Sequence, residues 1–286
     1  MATVLITGAT GGIGREIALK LVEEGKNVYV TGRNQQRLDE LLRELQGRRQ
    51  DGQTVGRFLF DIGRPSKVEE IMTDICAVPF DTVIFNAGVM FPTPRPANED
   101  DLPLMEETLK TNVVGHYIMA RHLLEKQTQP IRFVCLSSVT AKTGRLGRRW
   151  KTSFNDVQSF FNSSNHFADG WMSYFDSKLA AIVLAQWLND ARENVSAVAV
   201  HPGVARTNMV ASIPRYQRFF LTPIMWFRTF DGPDVCANNV INATVVQNNF
   251  TNRWLNCQVL EDIPTLSDEQ KDSFMNFIRE VTEPYV

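Results

Sequence analysis

The chain has 286 residues, of which 43% are hydrophobic and 22% charged, with a formal net charge of −2 and a pI near 6.1. This length suits one large α/β domain, and the balanced charge excludes a broad basic surface for nucleic acid. No apolar run reaches the roughly 18 residues of a membrane span. The four cysteines lack a CxxC spacing, which predicts free thiols in a reducing, cytoplasmic setting.

The predicted elements alternate between strands and helices along the chain. Short apolar or β-branched runs predict strands at 3–8, 27–32, 54–61, 81–88, 131–138 and 195–203. The first strand begins almost at the first residue, so no secretory leader is expected. Amphipathic patterns predict helices at 12–25 and 37–47. Strands that are apolar on both faces and alternate with helices indicate a doubly wound parallel sheet in a three-layer α/β/α domain, which we expect to span residues 1–286.

Two stretches interrupt the alternation and predict loops at the carboxyl edge of the sheet. The first covers about 139–171 and the second about 204–232, the latter with aromatic residues at Phe219, Phe220, Trp226 and Phe227. Loops at this edge commonly determine substrate specificity. The aromatic run therefore predicts an apolar lid over a substrate, with an ordinary core segment as the alternative.

The turn after the first strand reads TGATGGIG (7–14) and opens the first helix. Glycines in such a turn let the backbone approach a ligand, and the free N–H groups of the helix N-terminus attract a pyrophosphate. A purely structural turn is the alternative. The pattern predicts a dinucleotide site made by Gly8, Thr10, Gly11, Gly12, Ile13 and Gly14.

Tyr174 and Lys178 stand four residues apart in YFDSK, and no other tyrosine has a lysine at this spacing. On a helix, residues four apart lie on the same face. A free tyrosine has a pKa near 10, and a neighbouring ammonium favours the phenolate. The pair therefore predicts an acid/base catalyst, although an exposed helical pair has the same spacing.

These motifs together resemble the short-chain dehydrogenases/reductases, in their single-domain branch with a Rossmann fold. The matches are Gly-x-x-x-Gly-x-Gly (8–14), Asn86-Ala87-Gly88, Asn112, Ser138, the Tyr174/Lys178 pair and HPGVART (201–207). The stretch FNDVQS (154–159) and the long interval before Tyr174 are similar to retinol-dehydrogenase-like members. The long segment before Tyr174 also resembles that of monomeric carbonyl reductases of the family.

The resemblance implies a role for each matched residue. Tyr174 would be the acid/base, Ser138 would hydrogen-bond the substrate oxygen, Asn112 would support a water-mediated proton path to Lys178, and Lys178 would hold the cofactor ribose. Thr207 would contact the nicotinamide carboxamide, and the cofactor would also contact Asp61, Ile62, Pro202, Gly203 and Val204. The alternatives are a turn-capping Ser138, an Asn112 that only binds backbone, a helix-capping Thr207 and a turn-forming Asp61. His201 is expected to be a packed residue.

The end of the second strand predicts NADP rather than NAD. An NAD-selective site carries an acid there for the ribose hydroxyls, but this chain has Gly32 followed by Arg33. A guanidinium offers paired donors to a 2′-phosphate, and Arg15 on the first helix is expected to add a second positive charge.

The predicted function is NADP(H)-dependent interconversion of a hydrophobic alcohol and its ketone or aldehyde. The alternative is a catalytically weak sensor or scaffold that binds dinucleotide. Sugar-nucleotide epimerases share the Tyr/Lys pair but have a shorter glycine turn. The expected partner is a small hydrophobic carbonyl or alcohol, with no nucleic acid and no membrane span, and the resemblance favours a monomer or homodimer over a tetramer.

Overall fold

The computed structural model describes residues 1–90, 102, 105–144, 146, 171–204, 231–246, 253–263 and 266–286, with helical backbone also at 167–170. Within these residues all four cysteines carry free thiols. None of the helices in this part of the chain is long and apolar enough to cross a membrane.

The described residues form one eight-stranded sheet with the order β3-β2-β1-β4-β5-β6-β7-β8. Its strands are β1 (Thr3–Ile6), β2 (Asn27–Gly32), β3 (Val55–Leu59), β4 (Thr82–Phe85), β5 (Ile131–Leu136), β6 (Val195–His201), β7 (Arg253–Asn256) and β8 (Val259–Asp262). All neighbouring pairs from β3 to β7 are parallel. The six predicted strands are therefore confirmed, with most ending two or three residues earlier than expected.

The sheet extends further than predicted, by the hairpin β7–β8. This hairpin is antiparallel, with Leu255 opposite Leu260, because a two-residue connection cannot return a strand in the parallel direction. Cys257 at the turn has a φ of 56°, a value that only a turn position requires. The purely parallel sheet expected from the sequence thus carries one antiparallel edge strand.

Helices cover both faces of the sheet. They are α1 (Gly12–Glu23), α2 (Gln35–Arg48), α3 (Pro65–Cys76), α4 (Gly115–Lys126), α5 (Phe167–Asn189), α6 (Pro233–Val245) and α7 (Asp268–Thr282). Side chains of α1, α2 and α6 join one buried cluster, and those of α3, α4, α5 and α7 join a second on the opposite face. Burial of both sheet faces explains why the strands are apolar throughout. The three-layer α/β/α fold is confirmed.

Local signals in the sequence define where several helices begin. Asn34 caps α2 by accepting a hydrogen bond from the Arg37 amide, and Pro65 occupies the first turn of α3, where its missing N–H has no cost. Ser267 caps α7 in a reciprocal box with Gln270. The loops at the carboxyl ends of β1, β4, β5 and β6 share one edge of the sheet because these strands are parallel.

The chain reverses its winding direction between β1 and β4, which lie side by side although β2 and β3 separate them in sequence. A crevice opens at such a switch point, outside the carboxyl ends of the strands. Every site residue described below lies on this edge of the sheet.

Candidate active site

The turn between β1 and α1 brings an uncapped helix N-terminus to the edge of the sheet. Gly8 and Gly12 have φ values of 65° and 56°, which residues with a Cβ rarely adopt. Gly11 stands at the N-cap and provides no side-chain acceptor to the first amides of α1. Thr10, Gly11 and Ile13 are half-exposed. The turn therefore presents free N–H groups and the positive helix end at an accessible surface.

The segment Asn86–Gly88 after β4 is bonded directly to this turn. Asn86 Nδ2 donates to the carbonyls of Thr7 and Gly8 at 2.8 and 3.1 Å, and Thr7 Oγ1 accepts from the amides of Asn86 and Ala87 at 3.0 Å each. A Cβ on Gly8 would lie 2.7 Å from the Ala87 Cα. The sequence prediction missed Thr7, because its β-branched side chain was consistent with a simple continuation of the strand.

A cavity of about 560 Å³ lies beside the carboxyl ends of β2 and β3. Its lining includes the predicted residues Arg33 and Asp61 together with Arg64 and Lys67, which the sequence prediction missed. The available signal was two basic residues flanking the proline that starts α3. Ile62 is buried next to Asp61.

The basic side chains near this cavity differ in whether a carboxylate of the protein already neutralises them. Arg33 is exposed and no ion pair joins it to another described residue, whereas Lys67 pairs with Glu70 at 2.7 Å. Arg15 is bound to the carboxylates of Glu16 and Glu44. These two carboxylates offset the second positive charge that the sequence led us to expect from Arg15.

The position of Asp61 fits both the predicted contact with the cofactor and the alternative role as a turn former. The Asp61 carboxylate accepts a hydrogen bond from the Gly63 amide at 3.0 Å, which is the contact of a turn former. The same side chain also lines the cavity. Both interpretations of the sequence therefore fit its position.

Helix α5 places Tyr174 and Lys178 on one face, beside the carboxyl end of β5. Lys178 Nζ donates to the Leu136 carbonyl at 3.1 Å and lies 5.5 Å from the centre of the Tyr174 ring. Ser138 begins the next turn, where its hydroxyl accepts from the Thr140 amide at 3.3 Å and also hydrogen-bonds to Tyr174. Ser137 donates to the Lys178 carbonyl at 2.7 Å, which anchors α5 to β5. The structure thus brings Ser138, Tyr174 and Lys178 together.

Asn112 lies in a widened, π-helical turn, Lys110–Val114, just before α4. Its side chain accepts from the Val89 amide at 2.8 Å and donates to the Val89 carbonyl at 3.1 Å and to Ser177 Oγ at 3.0 Å. A Cβ on Gly88 would lie 3.3 Å from Asn112 Oδ1 and 3.6 Å from Lys178 Nζ. Asn112 therefore binds backbone, as its alternative states, and its Oδ1 and Lys178 Nζ both border the space beside Gly88.

Burial controls the ionisation of the central pair. Desolvation raises the pKa of Tyr174 to about 12, and the hydrogen bond from Ser138 offsets only part of this effect. Desolvation also lowers the pKa of Lys178 from 10.5 to about 8. The sequence led us to expect a tyrosine pKa lowered by the lysine, but the desolvation of the ring dominates. Tyr174 is thus a neutral phenol at pH 7, the form that donates a proton.

The loop after β6 is held by an aspartate that the sequence did not indicate. Asp231 accepts from the Val204 amide at 3.2 Å, and Asn239 donates to the Pro202 carbonyl at 2.9 Å. A Cβ on Gly203 would lie 2.6 Å from the Asp231 carboxylate. Asp231 is remote in sequence and belongs to no motif, so no local signal identified it.

Some predicted features lie outside the described residues. They are Thr207, the aromatic run at 219–230 and most of the loops 139–171 and 204–232. His201 is described and is buried, as expected for a packed residue. Desolvation lowers the pKa of His201 to about 4, so its imidazole is neutral at pH 7.

The residues present fit a nicotinamide dinucleotide. The uncapped N-terminus of α1 suits a pyrophosphate, and the cavity beside Arg33 and Asp61 suits an adenosine end. Gly88 leaves open the space next to Asn112 and Lys178 that a side chain would fill. The three features follow one another along the carboxyl edge from β2 to β5.

Comparisons with known proteins agree with this geometry. A family model described as short chain dehydrogenase matches residues 2–149. Short-chain dehydrogenase chry4 of Gibberella zeae is 30% identical over 210 residues, covering 73% of each chain. Human retinol dehydrogenase 12 is 32% identical over 213 residues, covering 72% of this chain and 62% of that protein. The crystal structure of a short chain dehydrogenase from Burkholderia cenocepacia in complex with NADP has a TM-score of 0.62 at 20% identity, covering 85% and 90% of the two chains.

Proposed function

Because the chain belongs to the short-chain dehydrogenase family and is an oxidoreductase of that family, we propose that it transfers hydride between NADP(H) and a hydrophobic alcohol or the corresponding ketone or aldehyde. The observation that carries this proposal is the convergence of Ser138, Tyr174 and Lys178 beside the glycine turn. The nicotinamide supplies the hydride chemistry. The protein residues bind and orient the cofactor and the substrate, and they transfer the proton.

In the direction of reduction, Tyr174 donates its phenolic proton to the carbonyl oxygen of the substrate. The raised pKa of Tyr174 keeps this proton in place at neutral pH. Ser138 already hydrogen-bonds to Tyr174, so a substrate oxygen placed between the two hydroxyls receives two hydrogen bonds as negative charge develops. Lys178 then stabilises the phenolate that remains, because its ammonium lies 5.5 Å from the ring centre.

Asn112 and Lys178 are the proposed supports of this proton transfer. Ser177 Oγ donates to the Tyr174 carbonyl at 2.7 Å and accepts from Asn112 Nδ2, which links Asn112 to the catalytic helix. We assign Asn112 to a water-mediated proton path that returns a proton through Lys178. We assign Thr207, Pro202, Gly203 and Val204 to the nicotinamide end of the cofactor.

Arg33 is the proposed determinant of NADP preference. It is exposed on the cavity that also contains Arg64 and Lys67, so three basic side chains surround the place where a 2′-phosphate would lie. A Cβ on Gly32 would lie 2.5 Å from Thr10 Cγ2, so an acid at the end of β2 would collide with the present Thr10 side chain. The structural neighbour from Burkholderia cenocepacia was determined in complex with NADP, which supports NADP as the proposed cofactor.

A hydrophobic substrate is proposed from the aromatic run at 219–230 and from relatives named retinol dehydrogenases.

All described strands belong to one sheet, which supports a single domain. We propose a monomer or homodimer.

The test is NADPH oxidation with a panel of lipophilic ketones, aldehydes and quinones. Wild-type protein is expected to turn over at least one of them, and Tyr174→Phe is expected to lose roughly 10²- to 10⁴-fold in kcat while still binding NADPH. Tyr29→Phe is the matched control, because Tyr29 packs against Phe58 and Phe80 far from the site. Tight NADPH binding without turnover of any compound would instead favour the sensor or scaffold function, and substantial activity in Tyr174→Phe would remove Tyr174 from the mechanism.

A further inference from the structure

His116 lies on α4, one turn after Asn112, and is fully buried between two parts of the site. Its Nδ1 lies 3.0 Å from the Asn112 carbonyl oxygen, and its Nε2 lies 2.9 Å from Thr7 Oγ1. The ring stacks on Phe85 with the centroids 4.6 Å apart. The imidazole therefore spans from the turn that follows β1 to the π-helical turn that carries Asn112.

The surrounding donors and acceptors determine which nitrogen carries the proton. A carbonyl oxygen can only accept, so Nδ1 must donate to Asn112. The two lone pairs of Thr7 Oγ1 are used by the amides of Asn86 and Ala87. The Thr7 hydroxyl proton therefore has two acceptors, His116 Nε2 at 2.9 Å and the Ile84 carbonyl at 3.4 Å, and the shorter contact favours His116. These contacts select the neutral Nδ1–H tautomer and leave no acceptor for a second ring proton.

We propose that His116 is a positioning residue for the proposed reaction. As a neutral Nδ1–H imidazole, it connects the π-helical turn to the glycine turn that follows β1. This connection holds Asn112 against Val89 and close to Lys178. This inference rests on the proposed function for its catalytic consequence. Its structural part stands on the hydrogen bonds alone. Desolvation, which lowers the pKa of His116 to about 3, agrees with the neutral form.

The hydrogen bond from His116 acts on the Asn112 backbone. In a π-helical turn the regular i to i−4 hydrogen bonds are interrupted, and such turns are frequent at functional sites. The His116 side chain supplies a donor to the carbonyl of Asn112 within that turn. Without this donor the turn can relax towards a regular helix, which would rotate the Asn112 side chain away from the Val89 amide and carbonyl.

Three variants separate this role from simple stability. His116→Phe keeps an aromatic ring and removes both hydrogen bonds, whereas His116→Asn keeps a donor at the Nδ1 position. His122→Phe is the matched control on the same helix, because the side chain of His122 hydrogen-bonds only to the Tyr285 carbonyl among the described residues, at 2.9 Å. All three are compared with the wild type by turnover, by NADPH fluorescence and by amide exchange.

Two measurements do not require turnover. Nitrogen-15 NMR of labelled histidine is expected to show His116 as the Nδ1–H tautomer without titration between pH 5 and 8. The Val89 amide, which donates to Asn112 Oδ1, is expected to exchange about tenfold faster in His116→Phe. The Val28 amide, bonded to the Thr54 carbonyl in the sheet, is expected to be unchanged. Equal acceleration at both amides would show a global stability effect and overturn the proposal.

Turnover is measured with 9,10-phenanthrenequinone as a lipophilic probe carbonyl. We expect kcat to fall about tenfold or more in His116→Phe, with recovery to within threefold in His116→Asn and an NADPH Kd within threefold of the wild type in both. An unchanged kcat in His116→Phe, or an Nε2–H tautomer, would refute the positioning role. If the wild type reduces no carbonyl at all, the proposed function fails, and the tautomer and the Val89 exchange still decide whether His116 holds Asn112.

Discussion

Removal of the Arg33 guanidinium should weaken NADPH binding selectively. Arg33 is exposed on the cavity beside β2 and β3, and no ion pair joins it to another described residue, so its charge is available to a 2′-phosphate. A charge-assisted hydrogen bond contributes roughly 1.5–3 kcal/mol. The lower end applies here, because the side chain is solvated and Arg64 and Lys67 remain near the same phosphate. We therefore expect Arg33→Ala to raise the Kd of NADPH about tenfold, since 1.4 kcal/mol corresponds to a factor of ten.

The assay is titration of NADPH and NADH fluorescence with wild type, Arg33→Ala and the control Arg43→Ala. Arg43 lies on the exposed side of α2 and donates only to the Asp39 carbonyl among the described contacts, at 3.4 Å. The Kd of NADH should change by less than threefold in both variants, and added salt should reduce the NADPH preference of the wild type because surface charges are screened. Equal losses for the two nucleotides, or a wild type that prefers NADH, would show that Arg33 does not select NADPH.

The complementary exchange towards NAD needs three substitutions. An aspartate at position 32 would place its Cβ 2.5 Å from Thr10 Cγ2, so Gly32→Asp alone is expected to disturb the glycine turn and weaken both nucleotides. Thr10→Ala/Gly32→Asp/Arg33→Ala removes the colliding methyl group and should bind NADH better than NADPH. Improved NADH binding by Gly32→Asp alone would show that Thr10 moves aside without cost.

The remaining predictions concern stability, the cofactor pocket and assembly. The lowering of the Lys178 pKa from 10.5 to about 8 means that burial of the ammonium costs about 3 kcal/mol at pH 7, so Lys178→Met should abolish turnover and leave the melting temperature unchanged or higher. Because the folded-state pKa is the lower one, this cost is complete below pH 8 and disappears as the pH rises towards 10.5, which calorimetry of wild type and variant can follow. Gly88→Ala should weaken nucleotide binding, measured by fluorescence, since its methyl group would approach Asn112 and Lys178. Light scattering at low micromolar concentration should show a monomer or dimer, and a stable tetramer would contradict this.

The sequence was sufficient for the central strands and insufficient for the far edge of the sheet. The first six strands contain β-branched or apolar runs that end at turn residues, and each was found in the expected place. Strands β7 and β8 are four residues long, RWLN and VLED, and neither shows an apolar run or an alternation. Their turn contains Cys257 with a positive φ instead of the usual Asn-Gly or Asp-Gly pair. Pairing with β6 creates this hairpin, and no local signal reports such pairing.

In the site, too, features that depend on neighbouring residues were predictable from the sequence, whereas those that depend on contacts between distant segments were not. The four-residue spacing of Tyr174 and Lys178 was readable because it depends only on helix geometry. The positions of Thr7, Asp231 and His116 were not, because each contacts segments that are distant in the chain. Basic side chains at 64 and 67 were visible in the sequence, but their relation to Arg33 appears only when α3 packs beside β2 and β3.

The ionisation of Tyr174 shows that the identity of the neighbouring residues alone does not determine the protonation state of a buried group. Charge alone predicts a phenolate stabilised by Lys178, yet desolvation of the ring is the larger effect and keeps the proton on the oxygen. Desolvation also lowers the pKa of Lys178 to about 8, which still leaves most of this side chain as an ammonium at pH 7, so the pair is a neutral phenol beside a positive charge. Such a site is ready to donate a proton during reduction. To accept one during oxidation, it requires additional positive charge next to the tyrosine.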